Sequence, residues 1–209
     1  MATPKLKPGT GGDWFTLDST LRTCLSEAEQ GVWTQMTPEG SYAPNYPFNS
    51  NIMNAFNQVG FSKELIDDIY PGGAANQPGD RVYWCAAFAG LVLKLAGCPY
   101  LNSVAAASYS QAWKGCTRVP VDDPSSWRKH DVILIKKPNH ITFLDSIYTG
   151  NNKAYCTGGN QGDSVCTTGF SVDRVTFVGR YWEVPPLYDV PVFTDINPEP
   201  GGETNKSVN

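Results

Sequence analysis

Apolar positions recur at helical spacing in the first half of the chain and change to alternating, β-branched runs after Asp122. Leu21, Leu25 and Ala28 set one stripe on a helix over Ser19–Gln30, with Ser19 as its N-cap. Ile52, Met53, Phe56 and Val59 set a second over Ser50–Val59, stopped by Gly60. A short helical piece over Lys63–Tyr70 ends at Pro71–Gly72–Gly73. Tyr83–Ala96 carries a single charge, Lys94, and so predicts a helix covered on every side. The Ala-rich run Ser103–Trp113 predicts another. Strands are predicted at Val132–Ile135, His140–Tyr148, Lys153–Thr157 and Arg174–Tyr181, with Gly, Pro and Asn between them. Short turns favour an antiparallel meander, and helices followed by a sheet define an α+β domain with its central helix on that sheet.

Residues 1–12 hold two Pro and three Gly and read as a flexible arm. The body runs over 13–183. Residues 184–209 form a tail rich in Pro, Gly and Asn, expected to be extended or disordered at its end. Six Trp, ten Tyr and nine Phe are far too many aromatics for a disordered body. A net charge of −4 without a Lys/Arg cluster argues against nucleic acid or an anionic membrane surface as partner. No stretch reaches the roughly 18 consecutive apolar residues of a membrane helix, so no membrane insertion is expected. The start lacks the apolar core of a secretory signal, which predicts synthesis in the cytoplasm. Six cysteines without metal-ligand spacing predict thiols, with no zinc site and no cofactor. Cys156 and Cys166 flank a Gly-rich turn and could face each other across a hairpin, which leaves a disulfide open there.

Chemistry centres on Cys85, in Trp84–Cys85–Ala86–Ala87–Phe88 at the start of the most apolar helix. A thiol in a first helical turn feels the positive end of the dipole and unpaired N–H groups, which lowers its pKa. The alternative is a small buried hydrophobe. Of the two histidines, His140 opens an apolar strand, a stiff mount for a base, whereas His130 lies in a charged loop and reads as a solvated surface residue. Asn160, in Gly158–Gly159–Asn160–Gln161–Gly162, comes twenty residues after His140 and can lie beside it across a hairpin. There it could hold the imidazole tautomer, or it could simply make a turn.

Cys, His and Asn in this order, on a helix and two strands, resemble the papain-like peptidoglycan hydrolases of the NlpC/P60 and CHAP superfamily, in particular the branch of phage lysins and bacterial wall-acting proteins. The resemblance spans roughly Leu21 to Trp182. It rests on Trp84–Cys85–Ala86–Ala87–Phe88, Asp131–Val132–Ile133–Leu134, Asn139–His140–Ile141–Thr142–Phe143, Gly158–Gly159–Asn160–Gln161 and Gly179–Arg180–Tyr181. Two positions depart from the family. It usually has Gly before its His and Val-Gly-Phe after it, where this chain has Asn139 and Ile141–Thr142–Phe143; some CHAP members carry a Glu where this chain has Gly158.

The resemblance implies a papain-like fold with Cys85 as nucleophile, His140 as general base and acid, and Asn160 as the orienting residue. Trp84 and Trp113 are expected to wall the substrate groove. The implied activity is thiol-dependent cleavage of amide bonds in the peptide part of peptidoglycan, by an endopeptidase or an N-acetylmuramoyl-L-alanine amidase. Its partner is the bacterial wall, reached after release or within a larger virion or secretion assembly. Two other readings stay open: a non-catalytic structural or wall-binding virion component, and a Cys-His transferase or deamidase acting on a host protein.

Overall fold

The computed structural model describes residues 5–7, 9, 12–34, 49–61, 83–111, 115–137, 139–182 and 192–193. The predicted helix at 63–70, Trp113 and most of the tail lie outside them. The protein is α+β. Among the described residues, four helices, α1 (Trp14–Glu29), α2 (Ser50–Gln58), α3 (Cys85–Leu95) and α4 (Ser108–Gln111), accompany nine strands: β1 (Lys5–Lys7), β2 (Tyr100–Asn102), β3 (Thr117–Val119), β4 (Val132–Ile135), β5 (His140–Tyr148), β6 (Lys153–Gln161), β7 (Ser164–Ser171), β8 (Val175–Arg180) and β9 (Val192–Phe193).

The first helix starts five residues earlier than its apolar spacing alone predicts. Asp13 supplies the N-cap, its carboxylate accepting from the backbone N–H groups of Phe15 and Thr16 at 3.3 and 2.9 Å. The Ser19 hydroxyl instead donates to the Thr16 carbonyl inside the helix. Trp14, Leu17, Leu21 and Cys24 then form one buried stripe. Around α3 the core is continuous, for every residue from Cys85 to Leu93 is buried.

The main sheet runs β3-β8-β4-β5-β6-β7 with antiparallel neighbours, and β9 lies parallel to the end of β5. Its centre is covered on both faces, which explains the unbroken apolar run Val132–Ile133–Leu134–Ile135. Val132 and Leu134 join the core around α3, while Ile133 and Ile135 join a second cluster with Trp127, Leu144, Cys156 and Phe170 on the opposite face. β7 is a strand that the alternation pattern does not reveal, and Gly158–Gly159 lie inside β6 rather than in a turn. The turn falls at Gly162 and Asp163, both with φ near 60°, the left-handed pair of a two-residue hairpin. Parts of the arm and tail are paired strands: β1 pairs with β2, and Val192 and Phe193 pair with Ile147 and Tyr148.

An ion pair ties the sheet together. Asp131, fully buried before β4, receives two bonds from the Arg180 guanidinium, Nε at 2.8 Å and Nη2 at 2.7 Å. Burial pushes the Asp131 carboxyl upward, and Arg180 opposes that.

Candidate active site

Cys85 is the first residue of α3, and His140 the first of β5; both stand at the same corner of the molecule. The backbone N–H of Ile141, next to His140, lowers the pKa of the Cys85 thiol, as do those of Ala86 and Cys85 itself. These donors favour a thiolate. Burial outweighs them: Cys85 is 3% exposed, and its pKa is raised. The lowering expected from the helix start is thus overturned, because a dipole worth roughly 1 kcal/mol cannot offset removal of a charge from water.

The His140 imidazole does not meet the thiol. Along β5, Ile141 and Phe143 face α3, whereas Leu144 belongs to the opposite cluster. His140 shares that second face by strand alternation, and its ring centroid lies 5.7 Å from that of Phe170. No hydrogen bond joins the two side chains; Nε2 instead bonds Gln161 Oε1 at 3.0 Å.

Gln161, not Asn160, holds the imidazole. Its amide is held at both ends: Oε1 also accepts from Thr142 Oγ1 at 2.9 Å, and Nε2 donates to the backbone carbonyls of Cys156 and Cys166. With Nε2 committed as donor, Oε1 can only accept, so His140 carries its proton on Nε2 and keeps a lone pair on Nδ1. Burial holds the ring's pKa down to about 4, against the upward pull of Gln161. The imidazole is neutral at pH 7.

A bulge explains the exchange of Asn160 for Gln161. Phe143 pairs with Thr157, and continuing that register by three residues would set His140 opposite Asn160. The register of β6 against β7 breaks between Gly158 and Gln161, with Asn160 in the left-handed region at φ 61°. One extra residue turns the next side chain toward His140. Asn160 itself makes no side-chain hydrogen bond with His140. Gly158 leaves room for the contact, since a Cβ there would lie 2.6 Å from Thr142 Oγ1 and 2.9 Å from Gln161 Oε1. Gln161 and Thr142 are therefore site residues that sequence spacing missed; the only signal was a second amide beside Asn160.

Trp84 walls no groove. It is fully buried against Trp33 and Phe88, because a residue preceding a core helix is drawn into the core with it. The exposed neighbour is Tyr83, 68% accessible. His130, read as a surface residue, is buried too, with Nε2 2.8 Å from Asp18 Oδ1. Its pKa falls to about 4 through burial first, with Lys129 adding and Asp18 opposing. None of the six cysteines is in a disulfide. Cys156 pairs with Thr168 and Cys166 with Gly158, so the two are diagonal rather than opposite, a spacing of roughly 7–8 Å that exceeds disulfide reach.

His140 borders a cavity of about 270 Å³ whose walls include Ala106, Ala107, Ser110, Lys136 and Asn139. A larger groove, about 790 Å³ between Arg118–Asp122 and Val172–Val175, lies away from both Cys85 and His140. Among the described residues no group of His, Cys, Asp and Glu could hold a metal ion. No protein-family model matches this chain, and no curated protein or solved structure does.

Proposed function

We propose that the chain is a papain-like cysteine hydrolase cutting amide bonds in the peptide part of bacterial peptidoglycan, as an endopeptidase or an N-acetylmuramoyl-L-alanine amidase. One observation carries the reading: Cys85 heads a buried helix, and backbone N–H groups of that helix start and of Ile141, the neighbour of His140, favour the charged form of its thiol. The tautomer of His140 adds to it, since a neutral imidazole with a free Nδ1 lone pair is a base suited to a thiol. In this mechanism the thiol proton passes to Nδ1 while sulfur bonds the amide carbon, and backbone N–H groups at the helix start receive the oxyanion. The C–N bond then breaks and the leaving nitrogen takes the proton. Water, giving a proton to His140, attacks the thioester; the C–S bond breaks and the thiolate is reprotonated. Transfer requires the imidazole to turn from Phe170 toward Cys85, so the described arrangement is its resting state.

A second reading, a non-catalytic structural or wall-binding component, is favoured by a different observation: the thiol is buried and not bonded to His140. Two measurements separate them. For a hydrolase, purified protein releases fragments from defined muropeptides by mass spectrometry, Cys85→Ala does not, and iodoacetamide labels Cys85 near neutral pH. Fragment release by Cys85→Ala equal to wild type overturns the thiol mechanism, while wall binding with an unreactive thiol selects the non-catalytic role.

A further inference from the structure

The cavity beside His140 combines small walls with an uncommitted cation. Ala106, Ala107 and Ser110 approach it from one side, and Lys136, Asn139 and His140 from the turn between β4 and β5. Lys136 is the one charged side chain among the described residues that line it. It is exposed and forms no ion pair with a described carboxylate. Two further cations stand at the same turn. Lys137 is adjacent, and the Arg174 guanidinium donates to the backbone carbonyls of both Lys136 and Lys137, bracing the turn. On a chain of net charge −4 this corner is locally positive, which selects an anion and repels an ammonium. Size adds a limit. A volume of about 270 Å³ lies below the roughly 300–1,000 Å³ of sites for larger small molecules and suits one or two small residues.

We propose that this cavity binds the carboxylate-bearing end of a short peptide of small aliphatic residues, with Lys136 pairing the carboxylate. That the bound peptide is a substrate rests on the hydrolase reading; the binding does not. Full-length protein is titrated, with NMR detection, against acetyl-Ala-Ala bearing a free C-terminal carboxylate and against the same dipeptide as its carboxamide. The carboxylate form binds about fivefold more tightly, the effect of one partly exposed ion pair, and shifts the resonances of Ser110, Asn139 and His140. Lys136→Met removes the preference and Lys136→Glu reverses it. Because Lys136 is exposed, both variants fold, which their spectra verify directly. Equal affinity for the two peptides, a preference that survives Lys136→Met, or no shift at these residues up to about 10 mM peptide overturns the proposal. Repeating the titration on Cys85→Ala separates the two claims. Binding there, with no release of muropeptide fragments by wild type, leaves the site standing and removes the hydrolase.

Discussion

Replacing Gln161 with Leu removes the most connected side chain near His140. The volume is nearly kept, but four hydrogen bonds go: two accepted by Oε1 from His140 and Thr142, and two donated by Nε2 to the carbonyls of Cys156 and Cys166. Gln161 is 3% exposed and Thr142 fully buried, so water cannot replace all the partners. At about 1 kcal/mol per bond the loss is about 4 kcal/mol, and buried groups left unpaired push it upward. Urea unfolding followed by circular dichroism reads this as a lower midpoint at unchanged slope. A second readout concerns the proton. In wild type the ring nitrogens of His140 give the pattern of an Nε2–H imidazole; without Oε1 as acceptor the two tautomers mix, which nitrogen chemical shifts resolve. Asn160→Ala is the control. Asn160 loses no bond to His140, only its better tolerance of a left-handed φ of 61°, at most about 1 kcal/mol. If Gln161→Leu costs no more than Asn160→Ala and the tautomer is unchanged, the assignment of Gln161 as holder of the imidazole is wrong.

Acid weakens the fold through its two buried histidines. His130 and His140 both bind protons near pH 4 when folded, against an ordinary 6.5, so the unfolded chain takes them up first. Stability is full above pH 6.5 and falls as pH drops toward 4, by at most about 3 kcal/mol per histidine. Asp131, pushed upward, works in the opposite direction at the low end of this window. Urea midpoints at pH 7.5, 5.5 and 4.5 check the trend, and a flat series refutes it. Arg180→Ala strands the buried Asp131 carboxylate and costs about 3–5 kcal/mol, read as a drop in Tm; an unchanged Tm would show the pair to be dispensable. Gly159→Ala forces a Cβ into the Trp84 ring and to 2.7 Å from Phe88 Cβ, costing about 1–3 kcal/mol by the same assay.

Much of the scaffold was legible along the chain, because burial writes itself into local pattern. β4 and β5 lie where β-branched runs place them, and α3 lies within the one long window with a single charge. Boundaries set by side-chain chemistry were harder. Asp13 caps α1 although the stripe of Leu21, Leu25 and Ala28 predicts a later start, and β7 hides among Thr, Ser and Gly residues that carry no alternation.

The site was less legible for the same reason. Residue type and order singled out Cys85 and His140, since a helix start and a strand start are local events. What each can do there depends on distant residues. Packing by β5 and β6 dries the Cys85 thiol and raises its pKa against the helix dipole. Strand alternation sends the His140 ring to the face opposite α3, and a one-residue bulge hands it to Gln161 in place of Asn160. Desolvation, sheet face and ladder register arise only when segments far apart in the chain come together, so tertiary structure alone decided them.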